Sequence, residues 1–354
     1  MLADKVGDGV DQTAGLQTGV APGSGSGRLT VVLPNYNHAR DLPQSLGAIF
    51  AQTRPADEII IFDDASTDDS VAVIEALIRG HTEARLEQCA VNQGCNVLVG
   101  RGLALAQGDY VHFAAADDVM APDLFRKSLA LLDRFPEAGL CSAKSGIIDE
   151  ESRDRPALPA PVPLSQPGFI PPDLVRRLLM SDDSWFFGNT VVYRTAAIRR
   201  VGGFAASMGS FADGFACRRI AVEQGVCFIP EILGAWRRIP GGMAWSDSLL
   251  GHRLAGQIEV TRRAIAACPS FPSSYNRRWA NRAQFGALRF ALDCKLAGVA
   301  EGRGALARRA LRGAAIVASV ILFFRLRPFD LPYPLLRRMR AVATAGRRDS
   351  RQGL

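Results

Sequence analysis

What this sequence lacks narrows its class before any motif is weighed. Its seven cysteines, Cys89, Cys95, Cys141, Cys217, Cys227, Cys268 and Cys294, are odd in number and form no C-x-x-C pair. That excludes a paired-thiol motif, and the thiols are expected to be reduced, mostly buried and cytosolic. The four histidines, His38, His81, His112 and His252, are scattered and show no metal-ligand spacing. No G-x-G-x-x-G follows the first apolar run, which argues against a dinucleotide-dependent dehydrogenase. Residues 1–27 contain no apolar leader core and end in PGSGSG, the composition of a flexible, disordered linker. With no run of about 18 apolar residues, no simple transmembrane helix is expected. No internal repeat is visible.

What is present is a globular composition with an uneven charge. The 354 residues suffice for one large domain or two ordinary ones, and 48% apolar content allows a sizeable core. The formal net charge is +7, yet from residue 301 onward twelve arginines face only Glu301, Asp330 and Asp349. The first 300 residues are therefore close to neutral. Such a tail suits an anionic membrane surface or nucleic acid. Its arginines flank apolar runs and do not alternate with aromatics, so no nucleic acid partner is expected.

Between residues 29 and 145, short apolar runs alternate with helical periodicities. Strands are expected at 29–33, 58–62, 85–91, 110–116 and 139–145, because runs rich in β-branched and aromatic residues read as buried strands. Helices are expected at 41–52 with Asp41 as cap, and at 70–79, 95–106 and 122–134. The alternation predicts a doubly wound, Rossmann-like α/β sheet. Three strand ends carry polar clusters: Asn35 with Tyr36, Asp63 with Asp64, and Asp117 with Asp118. Parallel strands would align all three along one crevice, at the carboxyl edge where open α/β sheets bind ligands. Further on, seven prolines between 156 and 172 mark a loop or hinge. Residues 188–194 read as a strand, 212–224 as a helix with Asp213 in its first turn, 226–230 as a short strand, Gly241 and Gly242 as a loop, and the chain from 249 as helical and arginine-rich.

The acidic pair is the centre of this pattern. The run YVHFAAADDV at 110–119 ends abruptly in Asp117 and Asp118. Adjacent carboxylates at a strand end repel each other and are best tolerated when a cation lies between them and a ligand. Hard divalent cations take one or two carboxylates plus substrate phosphates. Asp118 could equally be a helix cap ahead of Pro122.

In order and spacing, PNYN (34–37), QTRPADEIIIFDDASTDDS (52–70), the N-x-G of Asn92 and Gly94, GDY (108–110) before AADD, and Pro122-Asp123 resemble a family 2 glycosyltransferase with the GT-A fold. A second block resembles the acceptor half of that family: VGGF (201–204), ADGFACRRIA (212–221) and FIPEILGAWRRIPGGM (228–243). The resemblance implies a mixed-sheet GT-A domain at 28–245, with a nucleotide-sugar half at 28–150 and an acceptor half at 151–245, then a mostly helical basic region at 246–354. It implies an inverting enzyme that moves a sugar from a nucleoside-diphosphate sugar to a polysaccharide or lipid-linked glycan in cell-envelope synthesis. By motif position, Pro34 and Tyr36 would belong to the donor site, Tyr36 against the nucleobase, and Asp64 would hydrogen-bond the base edge. Asp117 would face the ribose or metal, and Asp118 would hold Mg²⁺ or Mn²⁺ on the diphosphate. Asp213 falls at the catalytic base, and Arg237 at an Arg near the diphosphate.

The chain departs from the family at Ala115, where an Asp is frequent, at Ala212 for Glu, at Ile239 for His, and at Val99-Gly100 for Arg-Asn. These changes leave a lean metal site. They also keep open a non-catalytic nucleotide-sugar-binding or scaffold protein on the same fold. A phosphoryl-accepting receiver domain would explain the acidic pair with Lys144, but not the second block. Finally, Arg308, Arg309 and Arg312 precede the apolar stretch 313–324, and Arg325, Arg327, Arg337, Arg338 and Arg340 follow it. Twelve residues are about 18 Å of helix, too short for a hydrocarbon core of about 30 Å. The stretch reads as a core helix or as one lying in a headgroup layer. On the second reading the protein is cytoplasmic and peripheral on the inner membrane through residues 308–340.

Overall fold

The computed structural model describes residues 27–148, 160–237 and 251–284. The reading of 1–26 as a linker, the Gly241-Gly242 loop, Ile239, and the membrane reading of 308–340 lie outside the described residues.

The chain alternates as expected at first. Strand β1 (Leu29–Asn35), helix α1 (Leu42–Phe50), β2 (Glu58–Asp63), α2 (Ser70–Leu77), β3 (Ala84–Gln88), α3 (Cys95–Leu105) and β4 (Tyr110–Phe113) follow one another. Then come β5 (Val119–Met120), α4 (Leu124–Arg134), β6 (Leu140–Ile148), β7 (Gly168–Ile170), α5 (Pro172–Ser181), β8 (Val192–Arg194), α6 (Thr195–Arg200), α7 (Ala212–Gln224), β9 (Val226–Arg237) and α8 (Gly251–Ala267). Residues 275–284 are helical as well.

Among the described residues the strands form one mixed sheet of nine, in the order β3-β2-β1-β4-β8-β6-β9-β5, with β7 also paired to β9. Strands β3, β2, β1 and β4 are parallel, and β8 joins β4 and β6 antiparallel. Successive residues of a strand face opposite sides, so a strand covered on both faces needs an unbroken apolar run. Along β1, Val32 packs with helices α3, α5 and α7, while Leu29, Val31 and Leu33 pack with α1, α2 and α4. Ile60 and Phe62 of β2 divide from Ile59 and Ile61 in the same way. Helix α3 sits close on β1 through Gly102, where a Cβ would stand 2.3 Å from Cγ1 of Val32. His112 is fully buried and its Nδ1 meets the carbonyl of Val191 at 2.8 Å; burial pulls its pKa down to about 4, so it is a neutral tie between β4 and β8.

Several boundaries differ from expectation. Strand β4 stops at Phe113, and Val119–Met120 form a separate strand instead of opening a helix. Residues 188–190 make a 3₁₀ turn before β8. Strand β9 does not stop at Pro230 but runs on to Arg237, with register shifts against β6 beside Ala143 and Lys144. Proline cannot donate to the ladder, and the irregularity absorbs it. Six cysteines among the described residues are free. No described helix is long and apolar enough to cross a membrane.

Candidate active site

The parallel strands bring the expected polar clusters to one edge. Asn35 and Asp63 end β1 and β2 in register, and Nδ2 of Asn35 donates to Oδ2 of Asp63 at 2.9 Å. Oδ1 of Asp63 accepts the Ser66 N–H, and Asn37, at φ 58°, accepts the Thr67 N–H at 2.7 Å. These two loops are thus knitted to each other. Pro34 lies within β1, half-buried, and Tyr36 stands just beyond the strand, 44% exposed.

Asp64 turns toward α3. Its two carboxylate oxygens accept the N–H groups of Gln93 and Gly94, each at 2.8 Å. Gly94 caps α3 at φ 89°, a backbone state that favours glycine. Asp64 therefore fixes the start of α3, and any contact to a base uses its remaining lone pairs.

Asp117 and Asp118 follow β4 in a turn. Asp118 does not cap α4, whose N-cap position is Asp123. Instead Oδ1 of Asp118 accepts the backbone N–H of Arg237 at 2.9 Å, and Asn189 adds a hydrogen bond, itself held by donation to Oγ of Ser145 at 3.1 Å. Burial, and then the neighbouring charge of Asp117, push the Asp118 carboxyl up to about 8. Burial raises Asp117 too, opposed chiefly by His38. The Arg237 guanidinium, 10% exposed, donates through Nε to the carbonyl of Asp117 at 3.0 Å, pairs with Oδ1 of Asp41 at 3.3 Å, and reaches Oε1 of Gln44. Asp41 occupies the N-cap position of α1 but makes no side-chain cap bond there; it faces Arg237 and, at 3.6 Å, His38. His38, Asp41, Gln44 and Asn189 were not legible as site residues, because their only sequence signals were turn and helix-start chemistry.

Asp213 lies in the first turn of α7. Its Oδ1 accepts the Gly214 N–H at 2.6 Å, and Oδ2 comes so near Gly188 that a Cβ there would stand at 2.7 Å. Burial raises its pKa above the ordinary carboxylate value. Cys95, the first residue of α3, is exposed as a residue; desolvation of its thiol, and then the charges of Asp213, Asp117 and Asp64, push the thiol up to about 12.

Among the described residues no group of three or more His, Cys, Asp or Glu side chains could hold a metal ion. Two half-buried carboxylates, Asp117 and Asp118, do fit a hard cation that completes its shell with phosphate and water.

An α/β sheet with its polar cluster at the carboxyl edge is of the class of fold that binds ligands there. Residues 30–202 match the family model described as glycosyl transferase family 2. An uncharacterised glycosyltransferase of Nostoc sp. is 28% identical over 182 residues, 49% of this chain and 53% of its own. The chain spans between 32% and 66% of the length of curated relatives that it matches. Among solved structures, TarS of S. aureus in complex with UDP superposes with a TM-score of 0.57 at 14% identity, over 75% of this chain and 80% of that one. The mannosyltransferase PcManGT of Pyrobaculum calidifontis, in complex with GDP-Man and Mn²⁺, gives 0.56 at 20%, over 88% and 90%. The fold is GT-A, as the sequence motifs implied.

Proposed function

We propose that the protein is an inverting glycosyltransferase that moves a sugar from a nucleoside-diphosphate sugar to a hydroxyl of a polysaccharide or lipid-linked glycan. The observation that supports this reading is the polar edge of the sheet, where Asp118 accepts the Arg237 N–H at 2.9 Å, Arg237 donates to the Asp117 carbonyl at 3.0 Å, and Asp64 holds the start of α3. The UDP complex of TarS and the GDP-Man complex of PcManGT support a nucleotide sugar as donor, and the Mn²⁺ of PcManGT supports a divalent cation.

On this reading Tyr36, Pro34 and Asp64 line the nucleotide end, and Asp117 and Asp118 hold Mg²⁺ or Mn²⁺. The bound cation would neutralise charge developing on the diphosphate. Arg237 brings a guanidinium, positioned by Asp41 and Gln44, to the same side. Asp213 takes the proton of the acceptor hydroxyl as its oxygen bonds to the anomeric carbon. The bond to the diphosphate breaks on the opposite face, and its electron pair leaves with the diphosphate. General-base help of this kind is worth about 10²–10⁴ in rate. We propose the catalytic domain at 28–245 and a basic region at 246–354 whose residues 308–340 meet an anionic membrane surface. Flotation of the full chain with liposomes of graded anionic lipid tests that placement, and failure to bind at low salt refutes it.

Asp213→Asn is the test of function. With a panel of UDP-GlcNAc, UDP-Glc and GDP-Man, kcat should fall about 10²-fold or more while donor affinity holds. Turnover by neither the wild type nor the variant, with nucleotide binding intact, would favour the non-catalytic binding protein.

A further inference from the structure

A base has to be ionised, yet burial works against the charge of Asp213. We propose that Arg218 is a positioning residue that serves as the countercharge of Asp213, and that Asp183 holds it in place. This inference rests on reading Asp213 as the base.

Arg218 lies five residues after Asp213 on α7. Long helical side chains lean toward the N-terminus. Its Nη1 accordingly folds back over Gly214, to within 2.5 Å of where a Cβ would stand. The same Gly214 donates its N–H to Asp213. A Cβ at 214 would meet Nη1 of Arg218 and force the guanidinium to shift.

The far side of the guanidinium is fixed. Nη2 donates to the carbonyl of Asp183 at 2.7 Å, Nε stands 3.5 Å from Oδ2 of Asp183, and the group lies 5.8 Å from the Phe186 ring centroid. Oδ2 of Asp183 also accepts from Tyr275 Oη at 2.6 Å and from Nη2 of Arg282 at 2.8 Å. The Arg218 and Asp183 side chains are 16% and 8% exposed, so solvent screens them weakly. One carboxylate is shared by two guanidinium groups, leaving a net positive charge next to the base.

Among the described residues, three other titratable groups feel the charge of Asp213, and none of them is charged near neutral pH: the Cys217 thiol on α7 is pushed up to about 12 by burial, the Cys95 thiol on α3 up to about 12, and Tyr193 on β8 is raised well above its usual value. Among these groups, Arg218 alone supplies a charge that favours the ionised carboxylate.

The test needs no substrate. In full-length protein labelled with ¹³C-aspartate, the Asp213 carboxyl resonance is assigned by its loss in Asp213→Asn and titrated. In Arg218→Met its midpoint should rise by about 1–3 pH units, the effect of an opposite charge at close range. Arg218→Lys should stay near wild type. An unmoved midpoint in a folded Arg218→Met protein overturns the inference and makes Arg218 a strut only. If that variant does not fold, Asp183→Asn decides: it leaves the main-chain hold on Arg218 and removes the shared negative charge, so the midpoint should fall, and a rise or no change overturns the inference. Undiminished kcat in Asp213→Asn sinks the base reading alone, because the titration still reports whether Arg218 sets the ionisation.

Discussion

Replacing Asp118 with Asn should stabilise the fold while removing activity. Burial and the charge of Asp117 place the Asp118 carboxyl at about 8, against 3.8 ordinarily. An acid whose folded pKa lies above its unfolded value favours the folded state when protonated. Its contribution is full below the unfolded pKa and is lost as pH rises toward 8. Between those values each pH unit removes up to about 1.4 kcal/mol. Asn cannot ionise, and its side-chain oxygen can still accept the Arg237 N–H. In EDTA, the stability difference should therefore shift toward Asp118→Asn by up to about 4 kcal/mol between pH 5 and pH 8. Urea denaturation followed by circular dichroism at both pH values measures it. Mn²⁺ should recover wild-type stability at pH 8 and leave the variant unmoved, because only the wild type gains the second carboxylate ligand. A variant less stable than wild type at pH 8, or a difference independent of pH, would refute the reasoning.

Tyr36→Ala should weaken binding of UDP or GDP by about 1–3 kcal/mol if the exposed ring stacks on the base, and calorimetry with both nucleotides reads it. Gly188→Ala puts a methyl group against Oδ2 of Asp213. It should lower kcat by about 10-fold or more with donor affinity retained, as expected when a catalytic group is displaced by a fraction of an ångström; an unchanged kcat means that the close packing has no catalytic role.

The parts of the fold legible in sequence are those fixed by local chemistry. The runs that became β1, β2 and β4 are apolar on both faces, and the polar clusters at their ends marked the crevice directly. The second half resisted because its decisive pairings are distant. Val119–Met120 are a strand only because Ala235 and Gly234 lie opposite. Pro230 suggested a stop, while pairing with β6 carried β9 through it. The β7 strand hid in a proline-rich stretch. Of the site, motif positions supplied Tyr36, Asp64, Asp117, Asp118, Asp213 and Arg237. The side chains that aim Arg237 and Arg218, namely Asp41, Gln44 and Asp183, come from helix ends and loops whose local signals spoke only of turns.

The path of β9 has a consequence for synthesis. On a ribosome, Asp117 and Asp118 emerge more than a hundred residues before Arg237, whose backbone N–H and guanidinium meet them. Among the described residues strand β5 pairs only with β9, and β6 runs between β8 and β9. A nascent chain halted before residue 226 holds two adjacent carboxylates without Arg237 and a sheet whose last columns are missing. The amino-terminal motifs are therefore a half-built pocket until the carboxyl-terminal strand arrives, and nucleotide affinity should switch on late, with chain length, when stalled chains are released and assayed one length at a time.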